Sequence, residues 1–577
     1  MNEIDYNIKI PNFLAMAKTN AAASKNGQTG ILEKLQKWFY RNRYYFLAFF
    51  LPVVLIYIAY ALFGIYPFGD YSVLCLDLNG QYIYYFEAIR DAFHGDGSIL
   101  YNWSRNLSGG YQGVIGYYLA SPFTLLVVLL PRKMILGAML IMILSKLGAA
   151  SVTFSYYVQK SKNLSPMLSV ILGTMFGMCA YGIIQTIDPM WLDGLVFLPL
   201  IALGIEYLID DSRKINFIVP LALICIANFY IGFMCCIFSA IYFVFYICFC
   251  ADKQSSKCRS VMLIGFVVLF STVLSFYYFY KVKNAENVNE KLLSSYKGLL
   301  IISALLLIAF AVFLVYYYFF KIERKERADF DRFFMTFLRM AMASVVAICL
   351  AAFMILPVYN ALALGKFDFT TPDYSYKSQF TIFEFIAQFT CVDQYSSVNV
   401  QGKPEIFCGV LAAICMPLFF LNPRIRVRKR LGYGFLTVVM FFCMMVRPID
   451  MLWHGGQMPN WLPFRYSFIF SFIMLSMAAM SLKYITSIKP AHIYATFGGF
   501  FVFLLVIARY ANLGAEELIN NHNSFLVNQK GESYLLQSFT IGGTTYENVF
   551  PSVGVTIIFL AIYCGLLRSE EHTSELQ

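Results

Sequence analysis

Apolar runs of helical length recur along this chain, separated by short polar or basic stretches. They predict spans at about Tyr44–Gly64, Met134–Val158, Ser165–Ile184, Trp191–Ile209, Val261–Tyr280, Leu299–Phe320 and Phe333–Pro357. Further spans follow at Glu405–Leu421, Leu431–Val446, Ser467–Leu482, His492–Tyr510 and Val553–Leu567. The block Phe217–Cys250 is too long for one crossing and is interrupted by NFYIG at Asn228–Gly232, so it reads as a hairpin of two short helices. The total is about fourteen crossings, at roughly 20 apolar residues per span. One stretch has another rhythm. In Asp70–Pro122, the residues from Asp77 to Phe93 place Tyr82, Phe86, Ile89 and Phe93 on one helical face, with Asp77, Gln81, Tyr84 and Asp91 opposite. That pattern predicts a surface helix lying on a membrane. A Gly/Asp turn, the group YNWSRN and the joint SGGYQG then lead into the apolar run Val114–Pro131.

Composition fixes the class. Of 577 residues, 59% are hydrophobic and 13% charged, and mean hydropathy is +0.64, which describes an all-α polytopic membrane protein. In a soluble protein the net charge of +11 would suggest nucleic acid. Here the basic residues sit in short loops and mark the cytoplasmic face instead. Lys34, Lys37, Arg41 and Arg43 place residues 1–43, a polar flexible tail, in the cytoplasm, with the first span as an uncleaved signal-anchor. If Val114–Pro131 crossed fully, Lys160 and Lys162 would fall outside, against KIERKER at Lys321–Arg327 and RIRVRKR at Arg424–Arg430. We therefore read 114–131 as re-entrant or interfacial, and 65–113, 359–404, 447–465 and 511–551 as outer loops. The tail RSEEHTSELQ (568–577) reads as a translated sequencing adapter and is set aside.

Chemistry is expected at the outer face, where the long polar loops lie. The short basic inner loops contain no Gly-rich phosphate loop, so neither ATP nor a nucleotide-sugar is expected there. The 14 Cys are scattered without metal spacing; Cys75 and Cys391 share the outer side, but nothing pairs them. Asp77 either caps the surface helix or acts as a general base held near lipid. Asp188 and Asp193, in DPMWLDG, form a second acidic group for which helix capping is an equal alternative. No metal ligand is assigned; a divalent cation stays open only as a class, since no His accompanies them. Lys146 lies mid-span, where an ionised group needs an acidic partner or a lipid phosphate. In WHGGQMPNWLPFRYSF (453–468), Trp453, Trp461 and Tyr466 fit an aromatic belt. His454, Gln457, Asn460 and Arg465 suit a sugar and a phosphate better.

Several ordered blocks carry a resemblance. DLNGQYIYYFEAIRD, GYYLASPFTLLVVLLP, KLGAASVTFSYY, MWLDGLVFLPLIALGIEYL, NFYIGFM, EIFCGVLAAICMPLFFLN and WHGGQMPNWLPFRYSF together resemble the bacterial YfhO family of membrane proteins. The resemblance implies a GT-C-like glycosyltransferase fold, with surface helices and a catalytic Asp in the first extracytoplasmic loop. It implies a polyprenyl-phosphate sugar donor and a cell-envelope polymer acceptor, lipoteichoic or wall teichoic acid, at the bacterial plasma membrane. The catalytic Asp lands on Asp77. From charge and depth, Lys146 and Arg465 are expected to contact the donor phosphate. Gln81, Trp103, Asp193, His454, Gln457, Asn460 and Trp461 are expected to line the substrate site. A lipid-linked-sugar flippase needs access from both faces, and an envelope-assembly scaffold needs only docking loops; both remain as alternatives.

Overall fold

The computed structural model describes residues 29–104, 109–252, 255–284, 289–364, 373–390, 402–459, 461–512, 537–541, 544–548 and 550–575. Apart from two small hairpins, Tyr101–Asn102 with Gly109–Gly110 and Gln537–Ile541 with Thr544–Asn548, its regular structure is helical. Seven described helices are long and apolar enough to cross a membrane, and an eighth crossing results if Pro166–Gly177 and Ala180–Ile187, bent by 51°, count as one. The other expected crossings fall largely on shorter helices, among them Ile215–Ala227, Val410–Leu421 and Phe468–Lys483. The chain is therefore an all-α polytopic membrane protein.

Its centre is the Ile135–Lys162 helix, packed against Thr29–Leu62, Pro166–Gly177 and Leu192–Asp211. Phe468–Lys483 is apolar all round and buried almost throughout, as such a helix must be. Conversely, Ser256–Lys283 and Glu290–Tyr316 pack on each other at the periphery and turn their large apolar side chains outward. The break in Phe217–Cys250 falls at Asn228. Its extended backbone ends Ile215–Ala227, and its side chain accepts from Tyr230 N (3.0 Å) and Ile231 N (2.9 Å) to start Phe229–Phe245.

Two local expectations are corrected. The first described helix begins at Thr29 and runs on through the span expected from Tyr44, so residues 29–43 are not a flexible tail: they are mostly good helix formers, braced by Glu33 and Lys37 (2.6 Å). The surface helix rests on protein, not on a membrane alone. Phe86 and Ile89 are buried on the helix that packs against Thr124–Leu129 and Ile135–Lys162, Tyr82 is buried beside Tyr118 (ring centres 5.0 Å apart), and Phe93, at the helix end, is exposed. Cys75 is a free, exposed thiol, and Cys391 lies outside the described residues.

The 114–131 segment is broken into Gln112–Leu119 and Thr124–Leu129. Its turn reaches inward, where Ser121 Oγ donates to Asp193 Oδ1 (2.9 Å). Arg90 Nε then binds Leu130 O (3.0 Å) as the chain returns to the start of the Ile135–Lys162 helix. At the far end of that helix, Glu206 accepts from Tyr242 (2.7 Å), Lys162 (3.2 Å), Tyr157 (3.3 Å) and Ser161, tying three helices together.

Candidate functional site

Asp77 opens the surface helix but caps nothing. Its backbone is already helical and its side chain bonds no helix N–H. The first turn, Leu78–Tyr82, is a π-turn closed by the Ile83 N–H to Leu78 O. The i→i+5 pattern matters here, because an α-turn would set Asp77 and Tyr82 about 140° apart around the axis. In the π-turn the Tyr82 hydroxyl comes within 3.3 Å of Asp77 Oδ2, and it lies 2.8 Å from Asp188 Oδ1. Asp77 is exposed, while Tyr82 and Asp188 are buried. Asp188 is no cap either, for it too bonds no helix N–H with its side chain. Burial pushes its carboxyl up to about 6, and the Asp77 charge adds to this; the Tyr82 bond and the Arg465 charge pull the other way.

Lys146 and Asp193 have each other. Both are buried, with Lys146 Nζ 2.8 Å from Asp193 Oδ2 and 2.8 Å from Pro189 O. A buried ammonium is tolerable only with such partners, and a lipid phosphate has no direct access to one so enclosed. The pair also sets depth. Lys146 is 11 residues into its helix, so at 1.5 Å per residue the DPMWLDG turn is sunk by roughly 16 Å from the helix start.

Arg465 arrives from the other side. Its guanidinium lies 4.5 Å from the Trp191 ring centre and 5.4 Å from that of Tyr230. It donates to Tyr117 Oη (3.3 Å), Leu462 O (3.0 Å) and Trp461 O (3.0 Å), none of them charged. Among the described residues no carboxylate pairs with it. Trp191 Nε1 also donates to Tyr117 Oη (3.2 Å), and Asn228 Nδ2 holds Tyr117 O (2.8 Å), so the in-turned segment carries one wall of this box. His454 is buried behind it, with Nδ1 2.6 Å from Tyr230 Oη and Nε2 3.5 Å from Asp450 Oδ1. Thus His454 backs the aromatic wall and does not face an open site.

Asp77 and Arg465 share one site through a row of tyrosines: Arg465 bonds Tyr117, whose ring lies 4.6 Å from that of Tyr118, which lies 5.0 Å from that of Tyr82, the partner of Asp77. The remaining expected residues are more scattered. Gln81 is exposed on the surface helix, one residue before Tyr82. Trp103 stands exposed on the first-loop hairpin, against Tyr101 (4.9 Å). Trp461 is exposed beside Arg465, and Gln457 is half-buried; Asn460 lies outside the described residues. Tyr82, Tyr117, Trp191, Tyr230 and Asp450 were not anticipated as site residues. Their signal was faint, since tyrosines on apolar faces read as core.

Over residues 48–286 and 303–574 the chain matches the family described as bacterial membrane protein YfhO. The chain belongs to the YfhO family. All the groups just described, from Asp77 to Arg465, fall inside the matched ranges. A curated relative, the uncharacterized protein YfhO of Bacillus subtilis (strain 168), is 31% identical over 166 residues, covering 26% of this chain and 19% of the relative. The matched stretch is thus a small part of that YfhO protein's length. No solved structure matches.

Proposed function

We propose that this YfhO-family chain is an integral-membrane glycosyltransferase. It moves a sugar from a polyprenyl-phosphate donor to a cell-envelope polymer, a lipoteichoic or wall teichoic acid, at the outer face of the plasma membrane, with the N-terminus in the cytoplasm. The observation that supports the reading is an accessible carboxylate, Asp77, in one site with a guanidinium, that of Arg465, which pairs with no carboxylate among the described residues. Asp77 takes the proton of the acceptor hydroxyl, whose oxygen attacks the anomeric carbon. The bond from that carbon to the phosphate oxygen breaks, and the phosphate leaves with the electron pair and an added negative charge. Arg465, fixed on Trp191 and Tyr230, is placed to hold that charge. Gln81, Trp103 and Trp461 offer amide and aromatic contacts for sugar rings nearby. Lys146 and Asp193 act indirectly, by fixing the DPMWLDG turn that presents Asp188.

The test is transfer of radiolabelled sugar from a polyprenyl-phosphate donor to teichoic-acid acceptors by protein in liposomes. Wild type should label polymer. Asp77→Asn should lose transfer at least a hundredfold while still inserting and binding donor, the scale of a positioned general base. Near-normal transfer by Asp77→Asn would remove Asp77 from the mechanism, and label that only changes leaflet would favour a flippase.

A further inference from the structure

A phenol has one hydrogen to give. Tyr82 nevertheless stands between two carboxylates, 2.8 Å from Asp188 and 3.3 Å from Asp77. With both ionised, one contact would set two acceptor oxygens against each other without a hydrogen. The chain of contacts is complete when it holds one extra proton: Asp77 as the acid donates to Tyr82, and Tyr82 donates to the Asp188 carboxylate. Shifting both hydrogens by one place gives the mirror arrangement, with Asp77 ionised and Asp188 as the acid.

We propose that Asp77, Tyr82 and Asp188 form one proton-carrying unit, in which the proton taken by Asp77 from the acceptor hydroxyl passes through Tyr82 to Asp188. The step rests on the glycosyltransferase reading for the origin of its proton. It balances: the O–H bond of Asp77 breaks as one forms on Tyr82, and that of Tyr82 breaks as one forms on Asp188. Tyr82 carries no charge at either end, in keeping with burial and the two carboxylates, which hold its hydroxyl above the usual phenol range. After product leaves, the same path returns the proton to water at the exposed Asp77. Tyr82 and Asp188 touch no substrate and are positioning residues.

The surroundings favour inward transfer during the reaction. The positive charge of Arg465 acts on Asp188 and favours its ionised form. Tyr117, Tyr118, Tyr181 and the Cys75 thiol also feel its charge, and all are neutral near pH 7. A phosphate on Arg465 offsets that pull and makes Asp188 a better proton acceptor.

Two measurements on the full chain in liposomes test this. In infrared difference spectra, wild type should show a carboxyl band titrating near pH 6, the value to which burial brings Asp188. Asp188→Asn should lose that band, and Asp77→Asn should move its midpoint down by removing a neighbouring negative charge. A band that survives Asp188→Asn, or ignores Asp77→Asn, would overturn the unit. In the transfer assay, Tyr82→Phe and Asp188→Asn should each lower kcat about tenfold to a hundredfold with KM little changed, and the double variant should be no worse than either. Wild-type kcat should fall as pH drops below about 6, because Asp188 is then already protonated, and Asp188→Asn should lack that limb. Additive losses, or an acid limb unchanged in Asp188→Asn, would overturn the relay and leave the glycosyltransferase reading standing. A titrating band that behaves as stated in a protein without any transfer would instead sink that reading, and the relay's substrate step with it.

Discussion

A lone Lys146 in an apolar run demands a partner, and the structure supplies Asp193 with a carbonyl and a serine to complete the set. The need was legible in the sequence; the partner was not, because it lies 47 residues away at the start of another helix. Removing one member leaves a buried uncompensated charge, so Lys146→Met should destabilise the protein by about 3–5 kcal/mol. Replacing both, Lys146→Met with Asp193→Leu, should restore most of that loss. Thermal denaturation in detergent reads both variants. The rescued double variant also separates two roles for the lysine. If it retains binding of a prenyl phosphate donor, Lys146 holds the turn; if it folds normally but loses donor, Lys146 reaches the phosphate after all.

At the level of elements, periodicity located the helices well and their contacts poorly. Asn228 was readable as a break because an Asn within a long apolar block both ends one helix and caps the next. The π-turn at Leu78–Tyr82 was not readable, since an extra residue in a turn leaves no compositional mark, and it is what brings Tyr82 over Asp77. For Asp188 the sequence leaves capping and chemistry as equal alternatives, because a Pro after an Asp looks like any helix start. Helix contacts follow small residues more than apolar ones. Gly173 and Gly177 lie four apart on Pro166–Gly177 and face the Ile135–Lys162 backbone. A Cβ on Gly177 would come within 2.7 Å of Leu147 O, and one on Gly173 would press on Ser151 O. Gly173→Ala should therefore cost about 1–3 kcal/mol, the usual range for overpacking. Gly298, which a Cβ would leave in open space, is the control: Gly298→Ala should be neutral or stabilising by up to about 1 kcal/mol in the same melt.

Across the whole molecule, polar groups gather at two levels of the Ile135–Lys162 helix. Lys146 belongs to the site, and Lys162 to the Glu206 cluster, roughly 24 Å further along at 1.5 Å per residue. That separation approaches the hydrocarbon thickness of a bilayer, about 30 Å, so the Glu206 cluster marks one membrane face while the site is sunk below the other. The basic loops decide which face is which. Arg426 and Arg428 bind Asp252, and Arg428 also holds the carbonyls of Phe249, Cys250 and Ala251. Both sit near the Lys162 level, where Lys162 Nζ and the Arg-bearing Val427–Met445 helix meet through the Tyr433 ring (6.0 Å). Positive residues favour the cytoplasm, so the Asp77 pole should face outward. Cys75, two residues before Asp77 and exposed, is a natural reporter, because the described cysteines other than Cys75, Cys236 and Cys349 are buried, and Cys349 lies mid-way along the apolar Arg324–Ala363 helix. With Cys391 replaced by Ser, a membrane-impermeant maleimide should label Cys75 in intact cells, and Cys75→Ser should abolish that label. Labelling seen only after the membrane is opened would turn the molecule over. It would put Asp77 and Arg465 on the cytoplasmic side, where soluble donors are available and a lipid-linked one loses its rationale.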